Sequence, residues 1–478
     1  MIEVKTSKLA FLAFEIFALW VVFSLPAPVR GASYIFLADM IILIVIIQQI
    51  RARLEDMPLF FFNITYFLFV LGGATATVLS EGSLNSYVTH NMQIVNTACA
   101  IALAGILIID TTYIFIKDTK ISFQLRRIDK SENEIKTPTL LQKQVVAVAF
   151  MVTSACKLLM AFETMTYSVG SGYIALYTRE VSILPAPIRY VGALFYFSLM
   201  LFLACNFEKR YTYMGYAVVC IIEAMILYAG DRGESVCGFL ILVAYTIQRT
   251  KREPQFLCHK RLVIAAFVLG VPLGMYVLQA VKYIRVGSEM ALGFADGIAE
   301  FFKSQGVSLS ILEHGVNLKE EIGKLSGNHF VFGQLEGYWQ QNVLIRTLFD
   351  IPYVKGNTVA AAISGTSYGS AMAYLRYPAS YLNGIGCGTC FLIELYHDFS
   401  WMGIVFGSFF IAVLLRVLRN ANTSSWIKYA ICLNCIRVVF MLPRGAYFKW
   451  LTEIFSVPNL MLLGCILLLG YGTKKSFQ

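Results

Sequence analysis

The chain has 478 residues, of which 58% are hydrophobic and only 14% are charged, and its mean hydropathy is +0.66. Soluble domains carry about a quarter charged residues, so this composition excludes an ordinary soluble protein. The net charge of +10 comes from 39 Lys and Arg against 29 Asp and Glu. In a membrane protein such an excess normally lies in cytoplasmic loops, so it does not indicate nucleic-acid binding.

The hydrophobic residues are concentrated in twelve runs separated by polar and basic segments. The runs cover residues 9–25, 34–50, 59–79, 94–116, 145–167, 188–207, 211–229, 236–247, 262–281, 401–418, 426–442 and 455–471. A helix of about 20 apolar residues crosses a bilayer. The sequence therefore predicts an all-α polytopic membrane protein with about 12 transmembrane helices in a single domain, residues 1–478. The first run contains Glu15 and is followed at once by the second, which favours an uncleaved helix over a signal peptide.

The longest polar segment, residues 282–388, separates the ninth run from the tenth. Basic clusters in residues 117–144 and 248–261 fall on the same side as both chain ends, and such clusters normally mark the cytoplasmic side. Both termini are therefore expected in the cytoplasm, and residues 282–388 are expected to form one large external loop. Within the loop, apolar residues recur at helical spacing. They predict an amphipathic helix at 289–303, which either caps the bundle or lies on the outer leaflet.

The predicted external loop is rich in aromatic residues. Aromatic rings beside polar side chains are suited to stacking against sugar faces, so Tyr338, Trp339 and Tyr377 are candidate glycan contacts. His329 joins them as a polar candidate, and ordinary loop packing is the alternative. Most cysteines lie in apolar runs, where free cysteine behaves as a small hydrophobic residue. The C-x-x-C pair of the loop has no second ligand pair on that side, so we expect no metal and no cofactor.

Charged residues in the apolar runs are functional candidates because burying a charge in a bilayer is costly. They are Glu15, Asp39, Asp110, Lys157, Glu163, Glu223 and Arg437. Internal pairs, such as Lys157 with Glu163, or positions near a span end are the structural alternative. The eighth run has only 12 residues, about 18 Å of helix against a hydrocarbon core of about 30 Å. The turn at 230–234 would then lie in a recess, where Arg232 requires an anion from Asp231, Glu234 or a lipid phosphate.

Three further arginines are expected on the external side and close to the membrane, namely Arg285, Arg376 and Arg444. Guanidinium groups bind phosphate oxygens in pairs, so these residues and Arg232 would suffice to neutralise a diphosphate. Each arginine alone is more often a surface residue. Their common side and membrane-proximal positions lead to the hypothesis of one diphosphate-binding site.

Residues 384–403 carry the most specific motif of the chain. A glycine-rich stretch leads into a segment that reads E-x-Y-x-D-F-x-x-x-G from residue 394. It resembles the corresponding segment of Wzy-type O-antigen and capsular repeat-unit polymerases. The turns at 230–233 and 443–445 are similar to turns in the same proteins. Family members more often have serine at the position of Asp231 and glycine at the position of Ser400.

This resemblance implies a GT-C-like glycosyltransferase at the outer leaflet of the bacterial cytoplasmic membrane. It would transfer a growing glycan from undecaprenyl diphosphate to an incoming lipid-linked repeat unit, and it would release undecaprenyl diphosphate without a metal. A chain-length-regulating co-polymerase would be its partner. An O-antigen ligase or another GT-C transferase is the first alternative. A lipid-linked oligosaccharide flippase is the second, although the two similar halves expected of such a transporter are not evident.

The chemistry of this reaction suggests roles for the charged side chains. Arginines placed beforehand stabilise the negative charge that develops on a leaving phosphate, so Arg232 is a candidate for binding and for catalysis. The acceptor hydroxyl needs a base, and Glu394, set among apolar neighbours, is the first candidate. His397 and Asp398 would share its face of a helix. His397 and His329 are the alternative bases, and a structural pair with an arginine is the alternative for Glu394.

Overall fold

The computed structural model describes eight segments of the chain, and every regular element in them is helical. The described residues are 6–84, 90–116, 137–171, 182–230, 232–257, 260–285, 293–420 and 425–475. No β-strand occurs in these segments, which confirms the predicted all-α class.

The helices up to residue 285 include the first nine predicted runs. They are α1 (Thr6–Ser24), α2 (Ala27–Arg51), α3 (Met57–Tyr66), α4 (Gly72–Glu81), α5 (Met92–Ile116), α6 (Leu140–Ser171), α7 (Ala186–Ala193), α8 (Phe195–Ala204), α9 (Lys209–Ala229), α10 (Arg232–Arg252) and α11 (Lys260–Arg285). A π-helical turn, Phe67–Leu71, joins α3 to α4, and a 3₁₀ turn, Pro254–Phe256, follows α10.

The helices after residue 293 begin with short ones and end with long ones. They are α12 (Phe294–Gln305), α13 (Ser308–Asn317), α14 (Lys319–Ser326), α15 (Phe330–Gln341), α16 (Val343–Phe349), α17 (Val359–Ile363), α18 (Tyr368–Arg376), α19 (Pro378–Leu382), α20 (Phe391–Asn420), α21 (Trp426–Val439), α22 (Lys449–Ile454) and α23 (Val457–Lys475). A 3₁₀ turn, Leu442–Arg444, lies between α21 and α22.

The described residues form two compact units, each assembled from separated stretches of chain. Unit 1 is drawn from Met1–Arg127, Gly293–Arg419 and Phe440–Lys449, and unit 2 from Ile128–Leu292, Asn420–Val439 and Trp450–Gln478. Unit 1 thus contains α1–α5, α12–α19 and nearly all of α20. Unit 2 contains α6–α11, α21 and α23.

Nine helical stretches of the described chain are long and apolar enough to cross a membrane. They are Ala27–Arg51, Met57–Glu81, Met92–Ile116, Leu140–Ser168, Ala186–Ala204, Lys209–Ala229, Phe391–Arg419, Trp426–Arg444 and Lys449–Leu469. The chain is therefore a multi-pass membrane protein. The other three apolar runs lie in α1, α10 and α11. The count of 12 spans and the place of the external loop stay predictions.

Helix α10 is longer than its apolar run, because it starts at Arg232 and ends at Arg252. The helix has 21 residues, or about 31 Å at 1.5 Å per residue, which matches a hydrocarbon core of about 30 Å. The hydrophobic run underestimated the helix because polar residues continue it at both ends. The apolar part of α10 is still 12 residues long, because residues 232–235 and 248–252 are polar, so the recess around Arg232 stays a prediction.

The predicted amphipathic helix is present as α12, with bounds Phe294–Gln305 instead of 289–303. Residues 286–292 lie outside the described part of the chain. α12 packs on α4, because the Phe302 ring lies against Gly72, and Gly306 lies against the backbone of Gly73. Phe302 also meets Phe67 of the π-helical turn with 5.7 Å between ring centroids. These contacts favour a helix that caps the bundle over one that lies on the outer leaflet.

Helix α20 is broken at Ser400, whose φ of 53° and ψ of −143° are not helical. Glycine adopts this region of backbone far more readily than any other residue. A helix end leaves carbonyl groups of its last turn without helical partners. Lys319 of α14 donates hydrogen bonds to the Tyr396 carbonyl at 3.1 Å and to Ser400 Oγ at 2.7 Å. The first two turns of α20 are thus separated from the predicted span that starts at residue 401.

The strain at Ser400 predicts a difference between two substitutions. Ser400→Gly and Ser400→Ala both remove the hydroxyl bonded to Lys319, so they differ mainly in backbone strain. We expect the alanine variant to have a free energy of unfolding lower by about 1 kcal/mol or more than the glycine variant. Thermal unfolding of both purified proteins in the same detergent measures this difference. Equal melting temperatures would contradict a strained Ser400.

Candidate functional site

Glu394 lies in the first turn of α20 and is only 2% exposed. Both of its carboxylate oxygens accept hydrogen bonds: Thr389 Oγ1 donates to Oε1 at 2.8 Å, and the backbone N–H of Tyr447 donates to Oε2 at 2.8 Å. The carboxylate therefore joins α20 to a chain segment that follows α21. A buried carboxylate with both oxygens engaged is suited to fixing the backbone that it binds.

The segment bound by Glu394 is residues 441–448, which we call the Arg444 turn. Its 3₁₀ turn ends at Arg444. Tyr447 attaches the turn to α20 a second time, because its hydroxyl donates to the Gly407 carbonyl at 3.1 Å. Tyr447 thus makes two hydrogen bonds to α20, and together they hold the Arg444 turn against this helix.

Arg444 is half-buried, and two neutral side chains of unit 1 contact its guanidinium group. Its Nη1 donates to Gln305 Oε1 at 3.2 Å, and its Cζ lies 5.8 Å from the centre of the Phe69 ring. Gln305 is the last residue of α12, and Phe69 belongs to the π-helical turn between α3 and α4. Two elements that meet each other thus also hold the guanidinium, and neither contact adds a negative charge to it.

Arg376 is exposed at the end of α18, where it lies 5.5 Å from the Tyr377 ring centre. Its positive charge also acts on Cys387 and on His314 of α13. Tyr377 packs against a small buried cluster of Ala362, Ala373 and Tyr381. The neighbours of Arg376 are therefore different from those of Arg444, and no contact between the two arginines is observed in the described residues.

His314 forms a hydrogen-bonded pair with His90, with 2.8 Å between His314 Nδ1 and His90 Nε2. Glu313 accepts a hydrogen bond from the His90 backbone N–H at 2.8 Å. Burial, the positive charge of Arg376 and His90 together lower the pKa of His314 from 6.5 to about 4. The hydrogen bond thus joins the segment before α5 to α13, and the His314 imidazole is neutral at pH 7.

The lowered pKa of His314 predicts a loss of stability in acid. The unfolded chain takes up the proton near pH 6.5 and the folded chain only near pH 4, so the stabilisation is present above pH 6.5 and is lost as the pH falls towards 4. His314→Gln removes the titrating group. We expect the melting temperature of the variant to change less between pH 7 and pH 4.5 than that of the wild type. An identical pH dependence in both proteins would refute the assignment to His314.

Arg232 and Arg285 both belong to unit 2. Arg232 begins α10 two residues after Gly230, which has a φ of 120°, and Arg285 ends α11. The side chains of both arginines, and Asp231 as a whole, lie outside the described part of the chain. The predicted convergence of four arginines therefore stays a prediction.

His397 and Asp398 attach α20 to residues 327–331. His397 is 2% exposed, and its Nε2 lies 3.4 Å from the Gly327 carbonyl oxygen. Its ring packs edge-on against Phe330 and Tyr368. Asp398 Oδ2 accepts a hydrogen bond from the Val331 backbone N–H at 2.7 Å. The predicted shared face of Glu394, His397 and Asp398 thus exists, and it binds the backbone of two separate segments.

The remaining glycan-contact candidates lie on or beside α15. His329 is the residue before this helix and has a side chain 46% exposed. Tyr338 and Trp339 lie in its last turns, where Trp339 is 59% exposed. Helix α15 therefore brings three of the four predicted glycan contacts onto one element, and Tyr377 lies elsewhere in unit 1.

Most charged groups in the spans have polar partners. Asn63 donates to Asp110 at 2.9 Å, Thr111 donates to Glu15 at 2.8 Å, and Thr75 donates to Asp39 at 2.7 Å. Arg437 pairs with Glu453 at 3.7 Å. Lys157 lies over the Tyr196 ring, whereas Glu163 accepts from Ser182. The suggested pair of Lys157 with Glu163 is therefore not observed. In the described segments, no group of three or more His, Cys, Asp or Glu residues is arranged to hold a metal ion.

Sequence reasoning missed several residues of this site. Thr389, Tyr447, Gln305 and Phe69 are uncharged, and they contribute by binding Glu394 or Arg444. The one signal in the sequence was the P-R-G-A-Y turn that places Tyr447 three residues after Arg444. The role of Asp398 as a backbone acceptor had no signal beyond its place in the motif.

Comparison with known proteins identifies the family. The family model of the O-antigen polysaccharide polymerase Wzy matches residues 8–476, nearly the whole chain. Searches of curated proteins and of solved structures found no match. The matched range includes nearly all of both units and all nine candidate spans. With its membrane helices, its E-x-Y-x-D-F segment and the Arg444 turn that this segment binds, the chain belongs to the O-antigen polysaccharide polymerase Wzy family.

Proposed function

We propose that this protein joins undecaprenyl-diphosphate-linked oligosaccharide repeat units into an O-antigen or capsular polysaccharide. The reaction takes place at the outer leaflet of the cytoplasmic membrane and releases undecaprenyl diphosphate. The family match over residues 8–476 carries this proposal. The multi-pass architecture supports it, because a lipid-linked substrate must be reached from within the bilayer.

In this proposal, Arg444 stabilises the leaving group of a GT-C-like glycosyl transfer. The acceptor hydroxyl attacks the anomeric carbon, and the bond from that carbon to the diphosphate oxygen breaks, so negative charge grows on the diphosphate. A guanidinium held in place before the reaction stabilises this charge without reorganisation. The contacts to Gln305 and Phe69 support such preorganisation. Arg232, Arg285 and Arg376 are the further proposed diphosphate ligands, and Arg232 also belongs to the proposed catalytic set.

For Glu394 we propose a positioning role in place of the base role considered from the sequence. Its two oxygens already accept hydrogen bonds from Thr389 and Tyr447, and it is 2% exposed. A general base must come within hydrogen-bond distance of the hydroxyl that it deprotonates. His397 is equally buried, so its proposed contribution is also to hold backbone. Glu394 thus holds the Arg444 turn, and His397 holds the segment before α15 at Gly327, around the proposed substrate site.

The remaining parts of the proposal concern orientation and partners. Both termini lie in the cytoplasm, and residues 282–388 face the outer side, as the distribution of basic residues indicates. A chain-length-regulating co-polymerase is the proposed protein partner. No metal or cofactor takes part in the proposed reaction.

Deletion of the gene in its own host tests the proposed function. Surface glycans and lipid-linked intermediates are separated on a gel beside those of the wild type and of a complemented strain. A polymerase is expected to leave a single capped repeat unit where the wild type gives a ladder. Loss of all surface glycan, with long polymer stranded on the lipid carrier, would indicate a ligase. Repeat units confined to the inner leaflet would indicate a flippase.

A further inference from the structure

We propose that His329 and Glu336 form the acceptor-activating site of this polymerase and that Asp398 positions them. This inference rests on the proposed function and deepens it, because it assigns the base for the acceptor hydroxyl. His329 Nε2 and Glu336 Oε2 lie 4.0 Å apart, and both side chains are nearly half exposed, at 46% and 47%. An accessible imidazole beside a carboxylate is an arrangement that general-base catalysis uses.

Two glycines, Gly327 and Gly365, leave the space that the His329 ring occupies. Gly327 and Gly365 have φ values of +79° and +71°, a backbone region that favours glycine. A Cβ at Gly365 would collide with His329 Nε2, and a Cβ at Gly327 would lie 3.3 Å from Nδ1. The ring is also parallel to that of Phe330, with 6.2 Å between centroids and 5° between planes. The imidazole is thus oriented by its surroundings while one side remains open to solvent.

Asp398 fixes the backbone that carries His329. Its Oδ2 accepts from the Val331 N–H at 2.7 Å, in the first turn of α15. A carboxylate at a helix N-terminus also interacts favourably with the helix dipole. Glu336 lies about two turns along the same helix, so a shift of the helix start would move both members of the pair.

The same helix that holds His329 in place also holds Arg444. Glu394 binds the Arg444 turn and Asp398 binds the start of α15, and these two residues are four positions apart on α20. The two segments also touch directly, since the Phe332 and Phe448 rings are 5.4 Å apart. This contact therefore joins two segments. One carries Arg444, the proposed ligand of the leaving diphosphate, and the other carries His329, the proposed base.

The proposed step balances without another reactant. The acceptor sugar hydroxyl forms a bond from its oxygen to the anomeric carbon of the donor glycan. The bond from that carbon to the diphosphate oxygen breaks, and its electron pair leaves with undecaprenyl diphosphate. The hydroxyl proton passes to the His329 imidazole and later to water. Glu336 stabilises the imidazolium in between. The charged groups around the ring are Glu336 on α15, Asp398 on α20 and Lys319 on α14, which lies near Asp398.

The test uses the full chain in lipid vesicles with lipid-linked repeat units isolated from the deletion strain. His329→Gln and Glu336→Gln are compared with Glu320→Gln, a matched control at an exposed glutamate on α14. General-base removal typically costs 10²–10⁴-fold, so kcat is expected to fall by about 10² or more for His329→Gln and less for Glu336→Gln. KM should change little, and Glu320→Gln should match the wild type.

Two readouts separate a base from a structural side chain. The acidic limb of the wild-type pH–rate profile should be absent in His329→Gln, and added imidazole should restore part of the activity of His329→Ala. Asp398→Asn should lower the rate and leave the acidic limb in place. The inference is overturned if His329→Gln keeps its rate within about threefold, if only its KM rises, or if imidazole restores nothing. A wild type that forms no polymer would instead refute the proposed function.

Discussion

Replacing Arg444 by alanine is expected to abolish the polymer ladder while the protein still accumulates in the membrane. Removing one preorganised donor to a developing anion costs about 10²–10³-fold in rate, which takes chain growth below detection on a gel. Arg444→Lys should rescue only a small part, because lysine lacks the paired donors of a guanidinium. The flat guanidinium group also contacts the Phe69 ring and Gln305 Oε1, and the ammonium group of lysine has a different shape.

The matched control for this experiment is Arg346→Ala. Arg346 also belongs to unit 1 and also lies over an aromatic ring, with its Cζ 4.8 Å from the Tyr353 ring centre. It should retain the wild-type ladder at equal protein level. A full ladder from Arg444→Ala would remove this residue from the site, whereas equal loss in both variants would indicate a general packing defect.

The second large effect is expected at Glu394, where two substitutions separate positioning from base catalysis. In Glu394→Gln, the amide oxygen can still accept from the Tyr447 N–H, and the amide nitrogen can donate to the Thr389 hydroxyl, which accepts as well as donates. We expect activity within about tenfold of the wild type. Glu394→Ala leaves the buried Tyr447 N–H without its acceptor, which costs about 1–3 kcal/mol and frees the Arg444 turn. Its activity should fall by about 10² or more.

Polymer formation by vesicles containing each Glu394 variant measures this contrast, with melting temperatures recorded in parallel. If Glu394 were the base, glutamine would be as inactive as alanine, because neither can take a proton at neutral pH. Equal inactivity of the two variants would therefore contradict the positioning role. Thr389→Val is expected to have an effect smaller than that of Glu394→Ala, since it removes only one of the two donors to the carboxylate.

The helical fold was largely readable from the sequence because hydrophobic runs report the lipid- and core-facing parts of helices directly. Each of the twelve runs coincides for most of its length with one or more helices of the described chain. The ends were less accurate. Helix α10 extends its 12-residue run to 21 residues, since charged residues at helix ends do not stop a helix even though they end a hydrophobic run.

The site could be predicted only in part, because its contacts join residues that are far apart in the sequence. The spacing of Glu394, His397 and Asp398 predicted one helical face, and the structure confirms that they share it. What the face binds was not predictable, because the partners of Glu394 and Asp398 are 53 and 67 residues away in the chain. Both are backbone N–H groups, which carry no residue-type signal. Each of these two carboxylates therefore binds a distant backbone N–H group, and Glu394 also accepts from the nearby Thr389 hydroxyl.

Ser400 shows a signal that was available but could not be interpreted from sequence alone. The resemblance indicated that glycine is common at this position, and the positive φ of 53° explains why. A glycine there would form the same break in α20 without strain. Lys319 compensates in this chain by binding the Tyr396 carbonyl and the serine hydroxyl.

The interval between Glu394 and Asp398 sets the register between two loops that are far apart in the chain. Four residues of helix return to nearly the same angular position and advance by about 6 Å. Inserting one alanine between them would turn Asp398 by about 100° around the helix axis, away from Val331, while Glu394 kept the Arg444 turn. By contrast, α16 and α17 lie outside this interval, so we expect that exchanging them for the corresponding segments of a relative leaves the spacing between the Arg444 turn and the start of α15 unchanged.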